Sequence, residues 1–536
     1  MFLPFKKVVG IVRYSRRGSA LGGRGRLSGL MAAAVVVAAI GSGCARVDPA
    51  PNFEQAGSDI RNRLGVQDVY NPIGESLIDD KVRTFLADGL TIEEAVSVAM
   101  LNNRAFQALF QSIGASQADV VQSRLLTNPS LVIGARFPDG GGRSELTLGF
   151  AQQLADLWQI PVRKQIAEAQ LQQTVFSVLD EAVRIAARTK SACFDVLWRA
   201  QLEEIARQNS ERARQSLALA DARLRAGEAN PLEAGLVRTQ VLDTENESRR
   251  ATRDLQNSRL ALAQILGLAR WPDSWNLSGE LDSVDPVVAP EDDLIATAMA
   301  NRFDIQWADA RVASAERDID LQLLRIFPSL EIGLQGERTE RRALPGRKVL
   351  ADTARASIAA GAPTAPTIES KGQRDLVRRQ IIDSMLGPTL QLTLPIWDQN
   401  QAQIAKAGFT LQRISKEREQ LLDSVVTDVR TAANNARIAA ELVSSFRDEI
   451  LPQVVGNLKS AESRYENGEE SVLILLDAQE AEFVQKRLSA DALRDYRTAI
   501  AELTGALGGR LESVRGPSSA PEADVSNHEE VSSGND

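Results

Sequence analysis

Pro129-Ser130-Leu131-Val132-Ile133-Gly134 returns as Pro328-Ser329-Leu330-Glu331-Ile332-Gly333, and this recurrence, offset by about 199 residues, is the first sign of an internal repeat. Gln165-Ile166-Ala167-Glu168-Ala169 returns as Gln403-Ile404-Ala405-Lys406-Ala407, at an offset of about 238. Arg223-Leu224-Arg225-Ala226-Gly227-Glu228 returns as Arg464-Tyr465-Glu466-Asn467-Gly468-Glu469, at about 241. The order is kept and the offset makes one large jump, so the second copy carries roughly 40 extra residues. These fall near 337–385, an interval rich in Arg, Ala, Pro and Thr.

Each copy reads as helix, two strands, long helix, turn, helix. Thr91 is an N-cap candidate with Glu93 and Glu94 in the first turn, and the helix it opens is predicted to run to about Thr127. Leu146, Leu148 and Phe150 then alternate with Thr147, Gly149 and Ala151. In the second copy Leu330, Ile332 and Leu334 alternate with polar or small neighbours, as do Leu390, Leu392, Leu394 and Ile396. A period of two with one apolar face is what a barrel wall needs. Pro395 must end its strand or lie on an edge.

The helices are long. From about Val162 to Ala226, and from about Ala402 to Glu466, only Pro452 interrupts the pattern. Each stretch holds ~65 residues, or ~100 Å if straight. In the second, Leu422, Val425, Val429, Ala432, Ala436, Ala439, Val443, Phe446 and Ile450 step by threes and fours. That is a coiled-coil seam, and its alanines permit close helix approach. Four flanking helices, near 91–127, 231–266, 291–326 and 471–506, are about half as long. Two of them end to end match one long helix, which predicts a cylinder of full-length and half-length helices. Gly227 and Gly468 sit where the long helices turn back, and Pro231 suits the first turn of a returning helix.

Composition narrows the function. The 536 residues carry a net charge of −9 with both signs interspersed, and no basic block calls for nucleic acid. With one histidine (His528) and two cysteines (Cys44 and Cys193), neither a Cys/His zinc site nor a His-based catalytic triad can be assembled. The expectation is no enzyme, no cofactor and no metal site. Cys193 lies among Ala192, Phe194, Val196 and Leu197 and reads as a small buried hydrophobe.

The first 29 residues hold seven Lys or Arg and no acid, followed by an apolar run from Leu30 to Ile40 and then Gly41-Ser42-Gly43-Cys44. That run is too short to span a bilayer and has the length of a signal-peptide core. Small residues before a cysteine resemble the bacterial lipoprotein processing site, with Cys44 as the lipid-bearing residue. No later segment reaches 18 apolar residues, so any membrane span must be made of strands. The expected division is a signal peptide over 1–43, an N-terminal periplasmic segment over 44–89, repeats over 90–290 and 291–506, and a disordered tail over 507–536.

Leu90-Thr91-Ile92-Glu93-Glu94-Ala95 with Asn102-Asn103, Asn301-Arg302-Phe303-Asp304 and Phe327-Pro328-Ser329-Leu330 resemble the repeat landmarks of the TolC family of outer-membrane efflux ducts. Leu394-Pro395-Ile396-Trp397-Asp398-Gln399-Asn400-Gln401 is similar to the strand-to-helix junction of its heavy-metal branch. The likeness covers about 90–506. It implies a mainly α fold with a small transmembrane β-barrel portion: four strands per chain, a long antiparallel α-helical barrel, and closure as a homotrimer. Physical reasoning leads independently to several copies, because four strands leave two open edges and single-chain barrels begin at about eight strands.

The resemblance further implies a passive conduit coupled through a periplasmic adaptor to an inner-membrane pump, anchored in outer-membrane lipid. Adaptor docking would fall at the hairpin tips, on Arg223, Gly227, Arg464, Tyr465 and Gly468. Spacing from the tip glycine places Asp477 at one of the family's two pore-narrowing carboxylate positions; Ile474 stands at the other, and Glu233 takes the corresponding place in the first copy. The bland alternatives are solvated helix charges for the acids and turn geometry for the glycines. The junction motif leans toward divalent metal ions as cargo, with small-molecule drugs and exported proteins left open. A lipid-anchored periplasmic coiled-coil scaffold is the competing reading, but it has no use for matched strand pairs.

Overall fold

The computed structural model describes residues 45–509, apart from 88, 138–144, 228, 269–274, 280, 282–288, 328, 343–357 and 362–379. The expected signal peptide, Cys44 and the tail from 510 lie outside the described residues. The chain divides into two units, 1–47 and 48–536, and every element named below belongs to the second.

The predicted repeat is visible as matching elements. The first copy contains α3 (Ile92–Asn102), α4 (Arg104–Ser123), β1 (Ser130–Arg136), β2 (Glu145–Gln153), α5 (Asp156–Ala226) and α6 (Pro231–Ile265). The second contains α7 (Glu291–Asn301), α8 (Phe303–Leu324), β3 (Leu330–Arg342), β4 (Gln380–Leu392), α9 (Gln401–Ser445), α10 (Leu451–Glu466) and α11 (Val472–Ala506). Thr91 caps α3 as expected: its hydroxyl accepts from the Glu94 amide while Glu94 accepts from the Thr91 amide.

The half-length helices predicted over 91–127 and 291–326 are each broken in two. Asn103 leaves the helical region at ψ 114° and caps the next helix by accepting from the Phe106 amide at 3.0 Å. Its side-chain amide donates to Ile265 O at 2.9 Å, and that of Asn102 donates to Leu266 O at 3.0 Å. This first break thus satisfies carbonyls left over at the end of α6. Gly267, at φ 70°, closes that end so tightly that a Cβ would stand 2.4 Å from Asn102 O. The second copy repeats the device. Arg302 breaks α7 from α8, reaches Ala506 O at 3.4 Å, and is held by Asp304 at 2.7 Å. Gly508, at φ 83°, leaves its missing Cβ 3.0 Å from Asn301.

The long helices also depart from expectation. The first begins at Asp156, earlier than Val162, and carries Pro161 inside its opening turns. The second is interrupted by a π turn over Phe446–Ile450, where the Leu451 amide donates to Phe446 O, five residues back. Pro452 follows in the first turn of α10, where a missing N–H costs least. The seam itself is buried at Val425, Val429, Ala432, Ala436, Val443 and Phe446.

Residues 48–89, whose role the sequence left open, pack on the first copy. Phe53 of α1 (Ala50–Leu64) stacks on Phe110 at 5.6 Å, and Tyr70 meets Phe110 edge-on. Arg63 lies over Phe303, so α1 touches both copies. Cys193 is fully buried, and burial pushes its thiol up to about 12, so it packs as a small apolar group. Val82 and Leu86 of α2 (Ile78–Ala87) complete this core.

Candidate functional site: the sheet and the hairpin tips

The strands form one antiparallel sheet in the order β1-β2-β3-β4. Register sorts their side chains. Leu131 pairs with Phe150, Phe150 with Leu334, and Leu334 with Pro388; Ile133 pairs with Leu148, Ile332 with Leu390, and Leu330 with Leu392. Directly opposed residues share a face, so one face is a continuous apolar band. The alternate positions pair Gly134 with Thr147, Val132 with Gly149, Ala151 with Gly333 and Gly333 with Thr389. That face is mostly small or polar. Gly333 has no room for more: a Cβ would meet Thr389 Oγ1 at 2.6 Å and Phe150 O at 2.7 Å.

The apolar band is bare in the single chain, with Ile133 at 69% exposure and Leu390 at 69%. No described helix is long and apolar enough to cross a membrane. A greasy face backed by a polar one is the pattern that the wall of a water-filled barrel requires. β1 and β4 remain as open edges.

Two details of the strands differ from the sequence reading. β4 stops at Leu392, so Leu394 and Ile396 lie beyond the ladder, with Pro395 following the strand and not terminating it from within. The interval 337–385 is also not all loop. Glu337 pairs with Met385 and the ladder continues to Arg342 and Gln380, lengthening β3 and β4 to 13 residues each.

At the other end, α5 stops at Gly227 (φ 78°) and α10 at Gly468 (φ 73°), both in the left-handed conformation that glycine takes without strain. The Gly468 amide donates to Tyr465 O and that of Glu469 to Arg464 O, a Schellman closure. Pro231 opens α6 behind Asn230, whose Oδ1 accepts from the Glu233 amide at 2.9 Å and whose Nδ2 donates to the Glu233 carboxylate at 3.1 Å.

Arg223 joins the two tips. It donates to Tyr465 O at 2.8 Å and lays its guanidinium 4.8 Å above the Tyr465 ring. Tyr465 is 1% exposed, packed among Ala220, Val237, Leu458, Val472 and Leu475. Burial pushes its phenol above the usual range, and the nearby Glu233 carboxylate adds to this, against the opposing Arg223 charge. Of the five residues read as a docking patch, Tyr465 is therefore interior, and Arg223 is turned partly inward to hold it. Arg464 stays at the surface, paired with Glu470 at 3.1 Å. Asp477 and Ile474 are exposed on the first turns of α11, while Glu233 already serves as a local cap.

Above the tips, sequence reasoning missed a polar layer. Glu482 is 4% exposed and is gripped by Arg212 of α5 and by Lys486 at 2.8 Å. Gln479 donates to Ser216 at 3.0 Å just below. Burial alone would raise the Glu482 carboxyl, but the hydrogen bonds and charges of Lys486 and Arg212 outweigh it and hold the group below its ordinary range. Glu482 and Lys486 are four apart on α11, but only the pairing of α5 with α11 brings Arg212 and Ser216 to them, so no local spacing signals the buried layer.

The family model for the outer membrane efflux protein matches residues 95–268 and 294–509. The cobalt-zinc-cadmium resistance protein CzcC of Cupriavidus metallidurans is 22% identical over 418 residues, covering 74% of this chain and 85% of CzcC. The pyoverdine export outer membrane protein OpmQ of Pseudomonas putida is 25% identical over 316 residues, 57% of each protein. The solved structure of CusC shares the fold with a TM-score of 0.61 at 17% identity, covering 78% of this chain and 92% of its own. The matched segments span both repeats and stop only at the connection between them, and the chain belongs to the outer membrane efflux protein family, whose members are passive channels.

Proposed function

We propose that three copies of this chain close a twelve-stranded barrel in the outer membrane and continue it as a periplasmic helical tunnel. The observation that carries this is the two-faced sheet with both edges open, which lipid does not tolerate until neighbours close it. The conduit itself does no chemistry; an inner-membrane pump supplies the energy, and a periplasmic adaptor docks at the tips around Gly227, Arg464 and Gly468. Asp477, with Glu233 behind it, narrows the periplasmic entrance as a ring of carboxylates that favours cations. Cys44 carries the lipid anchor.

Divalent metal ions are the proposed cargo class. The reading is supported by the likeness to CzcC, which covers more of this chain than the likeness to OpmQ does. Single-channel recording of the purified protein in planar bilayers tests the conduit. Discrete conductance with cation preference, reduced by Asp477→Asn, is expected. A detergent-extracted monomer that never conducts overturns the reading in favour of a coiled-coil scaffold. Deletion in the host should raise sensitivity to zinc or cobalt more than to lipophilic drugs, and the reverse order reassigns the cargo.

A further inference from the structure

Three neighbouring helices leave a hollow between them. Ser112 of α4, Gln170, Gln173, Thr174 and Ser177 of α5, and Trp307 of α8 line a cavity of about 400 Å³. That volume lies within the range of small-molecule sites.

Helix geometry says which way it opens. Residues 48–89 cover one side of the first copy: Phe53 stacks on Phe110 and lies against Gly114, and Asn52 donates to Gln117 at 3.0 Å. A conduit cannot hold that segment in its bore, so this side is the outer one. Ser112 is two residues from both Phe110 and Gly114, which sets it about 160° round the helix from each. Ser177 stands two residues from Leu179, which is buried in the same core. On α8 the counterpart of Phe110 is Asp309, two residues from Trp307. On all three helices the lining therefore points away from the outer side and into the bore.

The lining is neutral. None of the six side chains carries a charge, and Arg311, 5.2 Å above the Trp307 ring, has its own charge paired with Glu417 at 2.7 Å. The second copy does not repeat this, since Arg311 and Glu417 stand there in place of Ser112 and Ser177, and Arg413 in place of Gln173. Part of the lining is held in position: Gln173 donates to Ala310 O at 3.3 Å, and Thr174 shares a hydrogen bond with Ser116 at 2.8 Å. Such a surface offers no charge to an ion and little apolar area to a lipophilic guest. Amides and hydroxyls beside one indole suit a neutral molecule with several hydroxyls and one flat apolar side. A sugar ring has that chemistry.

We infer that this hollow is a saccharide-binding site in the tunnel wall, with a sugar ring laid against Trp307 and its hydroxyls held by Gln170, Gln173 and Ser177. Each chain supplies a whole site, since α4, α5 and α8 all belong to one copy. The inference rests on the conduit reading, which puts the hollow in the path of the ionic current.

The test uses the full-length protein in planar bilayers with maltose as the probe. The expected result is brief interruptions of the single-channel current whose frequency rises with maltose concentration. Trp307→Ala should shorten each interruption about tenfold. Gln170→Leu, at an exposed position that folding does not depend on, should shorten them as well. Asp309→Asn, on the outer side of α8, should leave them as they are. Interruptions of equal length from a polyethylene glycol of the same size, or maltose interruptions that survive both Trp307→Ala and Gln170→Leu, overturn the site. A channel that conducts and is never interrupted by maltose overturns the site and leaves the conduit standing. Protein that never conducts overturns both.

Discussion

The two long helices descend from one repeated pattern, yet only the first is unbroken. α5 runs 71 residues without interruption, whereas its counterpart is α9, a π turn and α10. Matched helix contacts set the offset at about 240, with buried Ala167 answering buried Ala407 and the Ser112–Ser177 cavity answering the Arg311–Glu417 ion pair, two residues beyond the motif match at Gln165 and Gln403; the tip glycines stand about 241 apart, so one extra residue lies between. An added residue in a continuous α-helix would turn everything below it by about 100° and carry Leu458 and Tyr465 off the buried face. The π turn absorbs it locally, and both tips still end on a left-handed glycine. Contacts at the two ends of the helix are kept and the middle accommodates the mismatch.

The halves can be set against each other by mutation. The largest contrast is at Phe110, wholly buried in an aromatic cluster, whose counterpart Asp309 makes an ion pair with Arg418. Phe110→Ala should cost about 3–5 kcal/mol in denaturant unfolding, and Asp309→Ala less than about 1 kcal/mol. Equal losses would show that the halves share one core and not two unlike ones. The junction glycines come next. Gly267→Ala places a methyl against the Asn102 backbone, while Gly508→Ala meets Asn301 at a longer 3.0 Å. The first should lose about 2–4 kcal/mol and the second about 1–2 kcal/mol; a reversed order would assign the tighter closure to the second half.

The cross-link between halves at Glu482 gives a pH signature. Its folded carboxyl is held below the unfolded value near 4.5, so the stability it adds is present above that pH and is lost as pH falls through the folded value. Glu482→Gln should be less stable by about 1–3 kcal/mol at pH 7, and the deficit should shrink as pH falls from 4.5 through the folded value. A constant deficit across that window would mean the charge contributes nothing. Smallest is the effect of the π turn. Amides over Arg447–Leu451 should exchange with deuterium faster than those in the middle of α5, and Pro452→Ala should slow them by a modest factor. Matching rates in the two helices would make the π turn as rigid as the α5 ladder.

Much of this was legible in the sequence, for identifiable reasons. The strands announced themselves through a period of two, and the tips through glycines that local backbone geometry requires. Thr91 and Glu94 were readable because a capping box is complete within four residues. What stayed hidden depends on partners far along the chain. Asn103 breaks its helix against a carbonyl at Ile265, and Tyr465 is buried because Arg223 from the other half reaches it. The π turn was masked because a seam stepping by threes and fours tolerates one additional residue without losing its rhythm. The strand end at Leu392 was overrun because alternation continues past it through Leu394 and Ile396 after the ladder has stopped.

The alternation along the strands has a cost during biogenesis. On the reading that several copies close one barrel, a newly delivered chain shows the oily side of its sheet, and two rows of unpaired amides and carbonyls, to an aqueous compartment until neighbours arrive. Such a chain is sticky towards its own kind before it is useful to them. On that reading, delivery, meeting and insertion must follow closely on one another or be escorted.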